Sequence, residues 1–224
     1  MALILNIETA TTNCSVSLAQ DGDTIALLEE NDKNYSHSER LHIYINDVLV
    51  KANKSMKEID AIAVSKGPGS YTGLRIGVSA AKGLCLSLDI PLISVNTLEE
   101  LAHQVNIDKG FIVPMLDARR MEVYSSIYNY NHELVRDTEA QILDEQSFKE
   151  LLDQEEVYFT GSGVEKTKNL IQHKNAKFIE GKLPSANEMS LLSYYKYQKS
   201  DMENVAYFEP YYLKDFVALK PKSK

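Results

Sequence analysis

Tryptophan is absent from this 224-residue chain, cysteine occurs twice and no long apolar run is present. Each absence removes a class of protein. Cys14 and Cys85 stand far apart, outside any CxxC spacing and with no neighbouring histidine, which argues against a disulfide scaffold and a thiolate zinc site and predicts two reduced thiols. No apolar stretch approaches the roughly 18 residues of a membrane span. The opening Met-Ala-Leu-Ile-Leu-Asn-Ile-Glu has no basic region before its apolar residues, so a cytoplasmic chain away from membranes is expected. Positive charge is scarce too: 24 basic residues face 32 acidic ones, for a net charge of −8. Nucleic-acid backbones are gripped through a cationic footprint, so a free-standing nucleic-acid binder is not expected. What remains is 44% apolar residues, enough for one sizeable core or two small ones.

Leu3, Leu5 and Ile7 alternate with their neighbours, as do Cys14, Val16 and Leu18, and Ile25 and Leu27 follow Asp21-Gly22-Asp23. This predicts three strands, the last two joined by an Asp-Gly hairpin turn. From Tyr35 to Lys54, Leu41, Ile45, Val48, Leu49 and Ala52 share one helical stripe. A strand at Ile59 to Val64, a helix from Tyr71 to Leu88, a strand at Ile90 to Val95 and a helix from Thr97 to Gln104 follow. That order describes one lobe of a ribonuclease-H-like, actin-like α/β architecture. A second block repeats it more weakly, with strands at Phe111 to Met115, Glu122 to Tyr130 and Val157 to Phe159, and helices at Ser147 to Leu152, Val164 to His173 and Asn187 to Gln198. Two lobes of the actin and Hsp70 type are expected, residues 1–104 and 105–224, with the chain end free to pack back on the first and a frayed tail from Lys220.

Gly67-Pro68-Gly69-Ser70-Tyr71-Thr72-Gly73 joins a strand to a helix. Such a turn can present N–H groups to a phosphate, which makes Gly67, Gly69 and Ser70 the candidate nucleotide contacts. The Lys-Ser/Thr of a P-loop is missing, and Thr72 stands at the third glycine of G-x-G-x-x-G. A plain structural turn stays open beside weak ATP or ADP binding, and no cofactor is required.

Ile7-Glu8-Thr9-Ala10, the stretch Gly67 to Gly77, Asp117-Ala118-Arg119-Arg120-Met121-Glu122-Val123-Tyr124, and Pro210-Tyr211-Tyr212-Leu213 together resemble the TsaB (YeaZ) family over essentially the whole chain. The last motif departs from the family pattern in carrying Lys214 where an arginine is usual. The resemblance implies a dimerisation subunit of the complex that makes N6-threonylcarbamoyladenosine at tRNA position 37. A TsaD-like catalytic subunit and a TsaE-like ATPase are its implied partners, and direct tRNA binding is not expected of this chain. Self-association without a partner is left open. TsaD-like chains carry metal ligands where this sequence has Thr12, Thr97 and Leu101, residues that cannot coordinate iron or zinc. The resemblance therefore implies a scaffold rather than an enzyme. A small-molecule kinase or ATPase, or a metallopeptidase of the same fold, is the rival reading, and both need metal-binding side chains.

The remaining candidates are read as structural. His37 and His42 lie roughly 140° apart on a helix, and His103, His132 and His173 are isolated. Glu8 is a single cleft carboxylate without the partner that acid–base or two-metal chemistry requires. Arg119 and Arg120 could clamp an anion but fit a solvated turn better, Gly161-Ser162-Gly163 has the strand-turn-helix setting of a nucleotide loop but fits a tight turn before a helix, and Tyr194, Tyr195, Tyr197, Tyr207, Tyr211 and Tyr212 fit packing rather than a base-stacking platform. A partner surface is expected on the first two long helices. Gly73, Gly77, Ala80 and Leu84 form a strip whose small members would admit another backbone, while Ile43 and Val50 lie opposite the core stripe of the preceding helix. The alternative cover for these helices is the carboxy-terminal segment from Tyr207 to Phe216.

Overall fold

The computed structural model describes residues 1–32 and 37–214; the expected helix start at Tyr35, the tail from Lys220 and Phe216 lie outside them. Strands β1 (Leu3–Glu8), β2 (Asn13–Gln20) and β3 (Asp23–Asn31) form an antiparallel meander. Its second turn is the expected Asp-Gly pair, with φ of 52° at Asp21 and 92° at Gly22, the backbone sign a two-residue hairpin of matching twist requires. Helix α1 (His37–Lys51) leads to β4 (Ala61–Gly67), α2 (Tyr71–Leu88), β5 (Leu92–Asn96) and α3 (Thr97–Ala102). The sheet order is β3-β2-β1-β4-β5, with β4 parallel to both β1 and β5.

The second half repeats this plan. Strands β6 (Phe111–Asp117), β7 (Glu122–Asn129) and β8 (Leu134–Ile142) make a meander. Then come α4 (Lys149–Gln154), β9 (Val157–Thr160), α5 (Val164–Leu170) and β10 (Ala176–Ile179), giving the order β10-β9-β6-β7-β8. In both sheets the first strand of the meander is central, and parallel strands extend from its other side. This duplicated order is the two-lobed actin/Hsp70-like α/β fold.

Period-two burial decides what covers the first sheet. Leu3, Leu5 and Ile7 point to one face and pack with Leu41, Ile45 and Val48 of α1 and Val78, Ala81 and Cys85 of α2. Ala2 and Ile4 point to the other, against Ala186, Met189 and Leu192 of the last helix, α6 (Ala186–Gln198). The polar members of that face are paired across the same junction. Ser193 Oγ donates to Asn6 Oδ1 at 2.6 Å, Ser17 Oγ to the Ala186 carbonyl at 2.7 Å, and the Ala186 N–H to Ser15 Oγ at 3.0 Å. A helix late in the chain thus completes the first lobe, and the expected 104/105 division falls in the connection between α3 and β6.

Beyond α6 the chain runs back along α2. Val205 and Phe208 join the core under α1 and α2, and Lys82 Nζ donates to the carbonyls of Ala206 (3.3 Å) and Phe208 (2.9 Å). The Tyr211 N–H reaches the Lys66 carbonyl at 2.7 Å. Four of the tyrosines expected to pack are exposed instead, Tyr195, Tyr207, Tyr211 and Tyr212, although Tyr212 still lies against Tyr71 and Arg75.

Candidate functional site

The turn after β1 and the turn before α2 are built into one another. Thr9 Oγ1 donates to the Gly73 carbonyl at 2.8 Å, and the Ser70 N–H donates to the Ala10 carbonyl at 2.7 Å. Ser70 also caps α2, its Oγ accepting from the Gly73 N–H at 3.3 Å. Glycine is required at the contacts. A Cβ at Gly69 would stand 2.5 Å from the Ala10 carbonyl oxygen, one at Gly73 2.1 Å from that of Thr9, and one at Gly77 2.3 Å from Thr9 Oγ1. Gly67, at φ +111°, lies against the Tyr211 carbonyl. The candidate nucleotide contacts Gly67, Gly69 and Ser70 are therefore brought together, but pressed against the chain's own backbone.

The same geometry corrects the partner strip. Gly73 and Gly77 are buried, and the backbone approach their size permits is made by Thr9 of the same chain. Ala80 and Leu84 are half-buried on the first-lobe core. The outward face of α2 is instead Thr72, Arg75, Ser79, Gly83 and Leu86, with open space around a Cβ at Gly83. Leu86 is 70% exposed, and on α1 Ile43 and Val50 are 56% and 69% exposed, as their spacing predicts. Towards the start of α2, Tyr71, Thr72, Arg75, Ile76 and Ser79 line a shallow depression of about 420 Å³. There the Arg75 guanidinium lies 4.0 Å from the Tyr71 ring centre and its Nε donates to the Tyr212 hydroxyl at 3.1 Å.

Glu8, the cleft carboxylate, is fully buried. Its Oε1 accepts from the Ala10 N–H, and burial raises its pKa above the usual carboxylate range. Facing it is Glu100 of α3, equally buried and pushed well above that range by burial and then by the Glu8 charge. The sequence signal for Glu100 was weak: a Glu-Glu pair in the first turn of a capped helix ordinarily reads as solvated charge at the positive end of the dipole. Thr97 and Leu101 are buried, with Leu101 packed on Leu98 and Leu116.

Among the described residues no three His, Cys, Asp or Glu side chains are grouped to hold a metal. His37 Nε2 meets the Thr11 carbonyl at 2.7 Å, and the His103 and His132 rings stack with centres 4.3 Å apart. Burial, with the His132 charge second, lowers the His103 pKa to about 4.

At the β6–β7 tip, Arg119 (φ 70°) and Arg120 (φ 49°) both adopt left-handed backbone and project to solvent. Lys166 ties the tip down, donating to Asp117 Oδ1 and the Arg120 carbonyl at 2.7 Å each. In the Gly161-Ser162-Gly163 turn, Ser162 Oγ accepts from the Asp117 N–H at 3.1 Å and the Gly163 N–H donates to the Met115 carbonyl at 3.1 Å. Lys214, the departure from the resembling motif, pairs with Glu122 and so joins the last motif to the third.

Comparison with known proteins agrees with this arrangement. The family model described as TsaD, tRNA N6-adenosine threonylcarbamoyltransferase, matches residues 31–222. The tRNA threonylcarbamoyladenosine biosynthesis protein TsaB of Escherichia coli is 32% identical over 97% of this chain and 96% of its own length. TsaB of Bacillus subtilis is 39% identical over 59% of this chain and 57% of its own. The solved structure of YeaZ from Pseudomonas aeruginosa superposes with a TM-score of 0.81 at 26% identity, covering 95% of this chain and all of that one. On identity sustained along nearly its whole length, the chain belongs to the TsaB (YeaZ) family, within the wider TsaD-related group.

Proposed function

We propose that this protein is a non-catalytic subunit in tRNA threonylcarbamoyladenosine biosynthesis and that its task is to bind a TsaD-like catalytic subunit. The observation that carries the reading is the outward face of α1 and α2, where Ile43, Val50 and Leu86 stand exposed. A helix pair that has already buried its core stripes has no internal use for three more large apolar side chains on its outside, which leaves them available to a partner. Gly83 and Ser79 between them leave room for a second helix to approach.

Burial of Glu8 supports the non-catalytic half of the proposal. The Glu8 carboxylate, which could begin metal or acid–base chemistry in this cleft, is enclosed and its Oε1 is already bonded, so it is not accessible to the kinase or peptidase chemistry of the rival reading. Nucleotide binding by the isolated chain is proposed to be weak, because the Ser70 N–H is taken by Ala10 and no lysine clamp follows the glycines. A TsaE-like ATPase would join the pair, tRNA contacts would belong to the partner, and the assembly would work in the cytoplasm. The test is to mix the purified chain with the TsaD-like protein of the same organism and weigh the product by light scattering. A complex of defined mass supports the proposal, and two unassociated species would sink it.

A further inference from the structure

Where α3 crosses the carboxyl ends of β1 and β4, five buried side-chain oxygens have no conventional hydrogen-bond partner: Glu8 Oε2, Ser65 Oγ, Thr97 Oγ1 and both carboxyl oxygens of Glu100. The strand register explains how they gather. Ile7 pairs with Val64, so the next residues, Glu8 and Ser65, lie side by side, and Glu100 comes down on them from α3. Glu8, Ser65, Thr97 and Glu100 are all completely enclosed. The Glu8 and Glu100 carboxyls are within hydrogen-bond reach of each other.

Two ionised carboxylates are acceptors only and repel, so a dry contact between them leaves both unsatisfied. One proton removes both difficulties, since the protonated carboxyl donates to the other. We infer that Glu8 and Glu100 share a single proton near neutral pH, and that this acid–carboxylate hydrogen bond clasps the end of β1 to α3.

The surroundings favour a proton over a counter-ion. Glu99 beside the pair on α3 and Glu188 of α6 add negative potential at Glu100, and Cys14 of β2 is a neutral thiol raised to about 11. The positive groups nearby act on other residues, Lys66 of β4 and Lys196 of α6 on Glu99, and Arg40 of α1 on Cys14. The clasp also reaches α2. Glu8 Oε1 holds the Ala10 N–H, and the Thr9–Ala10 turn in turn carries Gly73 and Ser70.

The direction of the pH effect follows from both carboxyls lying above their ordinary values. The fold retains a proton that the unfolded chain has lost, so unfolding releases it. Stability is full below the ordinary carboxylate range and falls as pH rises through the folded value. The test is thermal unfolding of the full chain and of Glu100→Gln, whose amide keeps a donor toward Glu8 but cannot ionise, at about pH 5 and about pH 8.5. Other titrating groups are common to both proteins and cancel. The wild-type melting temperature should fall by about 5 °C more than that of the variant. Infrared spectra near neutral pH should show a protonated carboxylic-acid carbonyl band in the wild type that is lost in Glu100→Gln. The wild-type spectrum decides the matter even if the variant fails to fold. Parallel pH curves, no acid band in the folded wild type, or a melting temperature raised by divalent cation and lowered by chelator would each overturn the shared proton.

Discussion

Replacing Gly73 and Gly83 by alanine, one substitution at two sites of the same helix, should change stability in opposite directions. At Gly73 the new Cβ would lie 2.1 Å from the Thr9 carbonyl oxygen. A backbone atom cannot swing aside, so α2 or the Thr9–Ala10 turn must shift by about 1 Å. Overpacking of this kind costs about 1–3 kcal/mol. The shift also weakens the Thr9 Oγ1 bond to the Gly73 carbonyl and the Ser70 N–H bond to Ala10, each contributing about 1 kcal/mol. The higher helix propensity of alanine recovers about 1 kcal/mol, leaving a net destabilisation of about 2–4 kcal/mol. At Gly83 nothing lies within 4 Å of the added Cβ, so only the propensity gain remains, a stabilisation of about 0.5–1 kcal/mol. Urea unfolding of dilute protein reads both, and the Gly73→Ala midpoint should fall by roughly 1 M with an unchanged slope. If Gly73→Ala is neutral, or stabilises as Gly83→Ala does, the close seating of α2 on Thr9 is wrong.

Phe208→Ala should destabilise the first lobe by about 3 kcal/mol, since Phe208 packs on the α1–α2 core although it lies near the chain end; a loss under 1 kcal/mol in urea unfolding would mean the returning segment is loosely held. Calorimetry of ATP against the isolated chain should show weak binding or none, and a submicromolar dissociation constant would contradict the reading of the Gly67–Ser70 turn.

The first sheet was legible because β1, β2, β4 and β5 are buried almost throughout, the edge strand β3 is tied to β2 by the Asp-Gly turn, and the helices carry clear apolar stripes: α2 begins and ends where the pattern of Tyr71 to Leu88 says it should. Strand β8 was not legible. It is an edge strand whose exposed residues include Asp137 and Glu139 among Leu134, Val135 and Ile142, so no face imposes an alternation. Strand β10 is four half-buried residues with a lysine among them, too short to leave a period. The contribution of α6 to the first lobe could not be read from order along the chain, since Ser190 and Ser193 look solvated until Asn6 and Ser17 are placed opposite them. For the same reason the small strip on α2 was legible as a close approach while its partner was not: Gly73 and Gly77 signal a neighbouring backbone, and only the fold identifies that neighbour as Thr9. Ile43 and Val50 were legible because both exposure and spacing on one helix follow from the 3.6 period.

The central claim is that the outer face of α1 and α2 receives the catalytic partner, and light scattering of mixtures with the TsaD-like protein tests it on Ile43→Glu, Val50→Glu and Gly83→Arg. None of the three disturbs a buried contact: Ile43 and Val50 are solvent-facing and Gly83 opens on free space, so circular dichroism should be unchanged. Charges placed in a packed apolar interface cost several kcal/mol of association. The account predicts a heteromeric complex for the wild type and separate subunits for each variant at the same concentration. Unimpaired assembly of both Ile43→Glu and Gly83→Arg, with the fold intact, would contradict it.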